Sequence, residues 1–291
     1  MEKLIVVFIF IAALINSANS KNHFTPHFTK NELQFSWNRK DTLTSENLIT
    51  HDINRLIDCY ISDTWNTLIT PVKMSPKSWV KMGGVLSVTG FIYAIDSKIM
   101  KSWHRSYESR LVRYVSDTGE LFEPMGQLEK MNPYCISTFM VGYLLKLPKV
   151  QEASIQIVES LSIASGFKQL IRETVGRARP CEHKGTYFLK FGVGESFPSG
   201  HTSNAFQVAT ILAHHVDYLP FTITAYGLAS CIGLWRIDTN SHWPSDVFFG
   251  AVYGTAVSKL LLAFHKKRRI RIVPRADFQQ NKLGLSVNWM L

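Results

Sequence analysis

The chain has 291 residues, 46% of them hydrophobic and 19% charged, with a formal net charge of +10 at pH 7. That apolar content excludes a disordered chain. Basic residues scattered through apolar segments, with no nucleic-acid-binding motif, argue against nucleic acid as a partner and suit work beside anionic lipid or phosphate-bearing substrates.

In chain order, Glu2 and Lys3 precede an apolar run from Leu4 to Ile15, followed by Ser17-Ala18-Asn19-Ser20. This reads as a signal peptide over residues 1–20, cleaved after Ser20, and implies export. The run is shorter than the roughly 20 apolar residues of a transmembrane span; an uncleaved N-terminal anchor is the alternative. Residues 21–70 form a polar N-terminal segment of unread role, ending in a helix over Glu46 to Leu68 that Pro71 and Pro76 break.

Residues 71–265 form the main domain. Its segments Trp79–Ala94, Tyr134–Leu147, Ala153–Ile171, Ser203–Val216, Phe221–Trp235 and Val247–Phe264 are each long enough for a helix, and none alternates strictly. The fold class expected is therefore an all-α helical bundle, either packed on itself or with several helices in the bilayer as partly polar spans. Residues 266–291 begin with Lys266-Lys267-Arg268-Arg269, then alternate with period two around a polar turn at Gln279 to Asn281. That predicts a basic linker and a short C-terminal β-hairpin. Export would permit disulfides, but Cys59, Cys135, Cys181 and Cys231 allow three pairings that sequence cannot rank.

Three clusters carry chemistry. In Arg172-Glu-Thr-Val-Gly-Arg177-Ala-Arg179-Pro180, residues seven apart share a helix face, so Arg172 and Arg179 are expected to point the same way, with Pro180 closing the helix. Two guanidiniums on one apolar face call for an anion, and a tetrahedral phosphate matches their donor forks. A basic helix end facing anionic lipid is the other reading.

The second cluster, Ser196-Phe197-Pro198-Ser199-Gly200-His201-Thr202-Ser203, lies directly before a helix. Free N–H groups, the close backbone approach at Gly200 and the Ser199 hydroxyl make an anion site. His201 is placed to give or take a proton. An ordinary N-cap is the alternative.

The third is Arg236-Ile-Asp-Thr-Asn-Ser-His242-Trp-Pro-Ser-Asp246. At a helix start the Asp246 carboxylate can reach the His242 imidazole four residues away, fix its tautomer and leave the other nitrogen nucleophilic; a capping Asp in the first turn with an incidental His is the alternative.

Taken together, Arg172-x6-Arg179-Pro180, Pro198-Ser199-Gly200-His201 and Trp235-Arg236-x5-His242-x3-Asp246 resemble the superfamily of type 2 phosphatidic acid phosphatases, bacterial non-specific acid phosphatases and vanadium haloperoxidases. The family pattern is Lys-x6-Arg-Pro, Pro-Ser-Gly-His and Ser-Arg-x5-His-x3-Asp, and the likeness covers about residues 79 to 264. Arg172 replaces the usual Lys, which weakens the haloperoxidase branch, and Trp235 replaces Ser.

The resemblance implies a hydrolase forming a phosphohistidine on His242, with Asp246 orienting the ring and His201 as general acid and base. Arg172, Arg179, Arg236, Ser199 and Gly200 would bind phosphate. No metal or cofactor is expected; vanadate would enter only in the haloperoxidase alternative. The partner expected is a phosphorylated lipid such as phosphatidic acid, phosphatidylglycerol phosphate, undecaprenyl pyrophosphate or a lipid A phosphate, met at the periplasmic side of a bacterial inner membrane. A soluble periplasmic acid phosphatase acting on other phosphomonoesters is the alternative.

Overall fold

A computed structural model describes the backbone over residues 45–192, 194–268, 270–277 and 282–289, with side chains over 57–192 and 194–267. The expected signal peptide, the polar segment up to residue 44 and the turn at Gln279 to Asn281 lie outside the described residues.

The helices are α1 (Ser45–Ile69), α2 (Pro76–Arg105), α3 (Arg110–Leu121), α4 (Leu128–Leu144), α5 (Pro148–Val175), α6 (Gly200–Val216), α7 (Leu219–Asp238) and α8 (Pro244–Arg268). The all-α bundle expected from the sequence is the architecture found. Beyond α8, strands β1 (Ile270–Asp277) and β2 (Lys282–Trp289) pair antiparallel, with Ile270 opposite Trp289.

Helix starts follow local chemistry. Ser75 caps α2, its side chain accepting from the Ser78 N–H, and Pro76 occupies the first turn. Pro148, Pro220 and Pro244 likewise open α5, α7 and α8.

The bundle is organised around α6, whose Ala205, Val208, Ala209 and Ile211 are wholly buried against Ile157 and Leu161 of α5 and Ala229 and Ile232 of α7. Helix α8 crosses the first turns of α6 at Gly250 and Gly254. A methyl there would lie 2.8 Å from the Ser199 carbonyl oxygen and 2.2 Å from that of Ser203. The small-x3-small spacing is thus what lets the two backbones meet, and it brings the start of α8 beside the start of α6.

Two findings depart from expectation. Helix α3 was not legible: Leu111 and Tyr114 are exposed, while Ser116 and Gly119 face inward. Its contact with α7 depends on the missing side chain of Gly119, where a methyl would meet the Cys231 carbonyl oxygen at 2.3 Å. Second, α5 stops at Val175, before Pro180. Gly176 ends it in the left-handed conformation (φ 57°), and the chain turns away so that Arg177 and Leu189 form an isolated bridge. Among the described residues, Cys135, Cys181 and Cys231 form no disulfide.

By length and composition, two helices among the described residues are apolar enough to cross a membrane, Pro76–Glu108 and Pro244–Lys267. Only 6% of the first one's apolar window is buried within the protein, and Trp79, Val80, Leu86, Val88 and Phe91 are exposed along it.

Candidate active site

The three sequence clusters converge where α5 ends and α6 and α8 begin. His242 sits in the turn between α7 and α8 and is buried. Its Nδ1 lies 2.8 Å from the Ser196 carbonyl. A carbonyl only accepts, so Nδ1 carries the proton and Nε2 keeps its lone pair.

The expected His242–Asp246 contact is looser than four-residue spacing suggested: Nδ1 is 3.9 Å from Asp246 Oδ2. Asp246, in the first turn of α8 and fully buried, works on the surroundings of the ring. It accepts from the Ser196 hydroxyl, from the Trp243 N–H at 2.9 Å and from Arg177 Nη1 at 2.6 Å. The carboxylate therefore fixes Ser196, whose own carbonyl aligns the imidazole.

Arg177 is the residue whose part sequence reasoning missed. It is 1% exposed. One arm holds Asp246; the other reaches Asp96 Oδ2 of α2 at 2.7 Å. Asp96 also accepts from the Ser245 N–H at 2.8 Å. The guanidinium lies over the Tyr93 ring at 4.5 Å and near the Trp243 ring at 5.3 Å. A charge this deep is tolerated because both carboxylates and two aromatic faces surround it. A lone aspartate at the end of the apolar run Phe91–Ile95 was the available signal for Asp96.

Ser199 occupies the N-cap position of α6; its hydroxyl meets Thr202 Oγ1 at 2.9 Å, and its N–H donates to the Asp246 carbonyl at 3.1 Å. Arg172 reaches this turn from the end of α5, with Nη2 3.5 Å from the Pro198 carbonyl. A methyl on Gly200 would sit 2.6 Å from Arg172 Nη2, so the backbone at Gly200 and the guanidinium are in direct apposition. Arg179 is farther out and partly exposed, pairing with Glu195 at 3.4 Å. Because the helix ends at Gly176, Arg172 and Arg179 do not share a helix face; they come together through the turn that follows it. Among the described residues, the Nε atoms of Arg172 and Arg236 are buried without a hydrogen-bond partner.

His201, in the first turn of α6, is bound to a second residue the motifs do not contain. Its Nε2 lies 3.2 Å from Glu123 Oε1, on the short 3₁₀ turn Glu123–Gly126. Lys130 pairs with the same carboxylate at 3.2 Å.

The electrostatics follow from burial beside cations. His242 is held well below the ordinary imidazole range, first by burial and then by Arg236, Arg179 and Arg172. His201 is pushed down to about 4 by burial and Arg236, with Glu123 opposing the shift. Arg172 and Arg236 are both lowered, chiefly by burial and then by Arg179. The pocket thus joins a neutral imidazole to clustered guanidiniums and a helix N-terminus, an arrangement that binds a tetrahedral anion beside a nucleophilic nitrogen.

Residues 153–270 match the family model of the PAP2 superfamily. A lipid A 1-phosphatase of Porphyromonas gingivalis is 29% identical over 148 residues, covering 49% of this chain and 31% of that protein. A lipid A 1-phosphatase of Rhizobium johnstonii is 33% identical over 99 residues, covering 31% and 39%. The chain thus spans about a third of the length of these two relatives. The crystal structure of Aquifex aeolicus LpxE superposes with a TM-score of 0.41 at 22% identity, over 57% of this chain and 93% of that one.

Proposed function

Residues 153–270 belong to the PAP2 superfamily, and on that premise we propose that the protein is a metal-independent lipid phosphatase acting through a phosphohistidine on His242. The observation that carries this reading is the bond from His242 Nδ1–H to the Ser196 carbonyl. It leaves Nε2 unprotonated in a pocket that Arg172, Arg179 and Arg236 make strongly electropositive.

In the proposed reaction His242 Nε2 attacks phosphorus in line, and the bond to the leaving oxygen breaks as the new P–N bond forms. The three arginines, the Ser199 hydroxyl and the Gly200 N–H hold the equatorial oxygens, where transition-state charge accumulates. Protonated on Nδ1 once the phosphate's negative charge is bound beside it, His201 gives that proton to the leaving oxygen, then takes one from the water that opens the phosphohistidine. Its Nε2 is committed to Glu123, so Nδ1 is the atom that exchanges with substrate and water. The arginines carry the neutralisation that a metal supplies elsewhere.

The substrate we propose is a phosphate monoester or pyrophosphate of a membrane lipid, with the lipid A 1-phosphatase relatives supporting a lipid A type headgroup. Helices α2 and α8 would cross the bilayer. Helix α8 has 25 residues, about 37 Å at 1.5 Å per residue. It runs from the site at Asp246 to the basic Lys266-Lys267-Arg268. Basic residues favour the cytoplasmic side, which supports a site on the outer, periplasmic face.

The test is phosphate release by purified protein in EDTA, comparing a long-chain lipid phosphate with a small soluble monoester. Release from the lipid alone supports the reading. Equal release from both points to a broad acid phosphatase, and release from neither contradicts the proposal.

A further inference from the structure

One buried cation has no place in the three motifs. Lys168 lies on α5 one turn before Arg172, on the same helix face, and is 5% exposed. Its ammonium donates to Asn204 Oδ1 at 2.9 Å, and Asn204 spends its own donor on the Gly126 carbonyl, also at 2.9 Å. Among the described residues no carboxylate pairs with it. A methyl on Gly200 would sit 3.7 Å from Lys168 Nζ and 2.6 Å from Arg172 Nη2. Ammonium and guanidinium therefore flank the same backbone N-terminus.

Two like charges this close, one of them buried with only a neutral amide for company, raise the energy of the empty site. An ammonium has three donors, and a single amide oxygen satisfies one of them. Burial and the neighbouring Arg172 also push Lys168 down to about 8, which leaves most of it charged at neutral pH. An anion at the start of α6 would relieve both the repulsion and the unmet donors.

We propose that Lys168 is a further phosphate-binding residue, contributing a fourth cation that contacts a non-bridging oxygen of the phosphate held at Gly200. The inference rests on the reading of this pocket as a phosphate site. It gives Lys168 a direct role in affinity, separate from the packing role that a buried side chain usually has.

The two roles predict opposite effects on stability. Replacing a buried unpaired charge by an apolar side chain of similar length is neutral or stabilising, whereas removing a packing residue is destabilising. The experiment uses the full chain in detergent micelles and inorganic phosphate as the probe. It reads the melting temperature without phosphate, and the phosphate affinity from competitive inhibition and from thermal shift.

Lys168→Met is expected to melt at or above the wild-type temperature and to bind phosphate at least tenfold more weakly. Lys168→Arg, which restores the charge, is expected to recover most of that loss. A Lys168→Met protein that binds phosphate as tightly as wild type overturns the assignment, and so does one that melts well below wild type or fails to fold. Failure of phosphate to bind the wild-type protein would instead overturn the reading of the whole pocket, and the role of Lys168 with it.

Discussion

Arg177 Nη1 donates to Asp246 Oδ1 at 2.6 Å with both side chains shut away from solvent. The same guanidinium bonds Asp96 on α2 at 2.7 Å, so one arginine ties the turn after α5 to α2 and to the first turn of α8. Breaking a buried pair by removing one partner strands the other charge, at a cost of about 3–5 kcal/mol. Arg177→Met should therefore lower stability by about that amount. Asp96→Asn, which keeps the shape but removes one charge, should cost less. Chemical denaturation of the two variants checks both, and near-wild-type stability for Arg177→Met would contradict the relay.

Glu123 is expected to act through His201. It accepts from Nε2 and opposes the downward pull that burial and Arg236 exert on the imidazole. In Glu123→Gln the ring should be protonated less readily, which weakens it as a general acid. Hydrolysis of a lipid phosphate, whose alkoxide leaves poorly, should then slow by about tenfold. A p-nitrophenyl ester, whose leaving group needs little help, should be much less affected. Equal slowing of both substrates would make Glu123 structural, and recovery in Glu123→Asp would support the electrostatic role.

The histidines also set the dependence of stability on pH. His201 and His215 are pushed down to about 4 in the folded protein, each mainly by burial, and His242 is also well below its ordinary range. In the unfolded chain all three titrate near the ordinary value of about 6.5. At these three groups the unfolded chain binds more protons than the native state between about pH 6.5 and 4, so the stability they contribute falls as pH falls through that window. His215 lies outside the site, with its Nε2 2.9 Å from Gln156 Oε1. By pH 5 it alone should account for no more than about 2 kcal/mol. Melting curves from pH 7.5 to 5 should steepen in wild type and flatten in His215→Gln.

The loop between Arg179 and Ser196 exposes Tyr187, Leu189 and Phe191, by 63%, 53% and 76%. It is pinned to the end of α5 by bonds from Lys190 N to the Gly176 carbonyl and from Gly192 N to that of Glu173. Tyr187 fastens it to α2 through the Ala94 carbonyl at 3.1 Å. Apolar side chains held rigidly beside the phosphate pocket suit contact with the bilayer interface. Leu189→Ser with Phe191→Ser should cut activity on lipid in vesicles severalfold, while turnover of a soluble monoester stays near wild type. Parallel losses on both substrates would contradict a membrane-contact role.

The bundle and the motif residues were legible because each is signalled locally. Helical stretches are apolar over a dozen residues or more, and His201, His242, Asp246 and the arginines stand at fixed spacings beside Pro and Gly. What was not legible depends on contacts far apart in the chain. Asp96 meets Arg177 across 81 residues and Glu123 meets His201 across 78, and no local pattern names the partner of either carboxylate. The end of α5 at Gly176 was missed because Pro180 offered a later stop. The tertiary packing of Lys190 against Gly176 decides the point, since a methyl there would lie 1.9 Å from the Lys190 carbonyl oxygen. Helix α3 was missed because it is short and its apolar residues fall on both faces, Val112 and Val115 half-buried but Leu111 and Tyr114 exposed.

The central claim is that His242 is the nucleophile, and trapping the phosphoenzyme tests it most directly. Protein mixed with a radiolabelled lipid phosphate and quenched in alkali within a single turnover should carry an acid-labile, alkali-stable label on His242. His242→Ala should carry none and release no phosphate, while melting near the wild-type temperature. Label on another residue, or undiminished phosphate release by His242→Ala, would contradict the account.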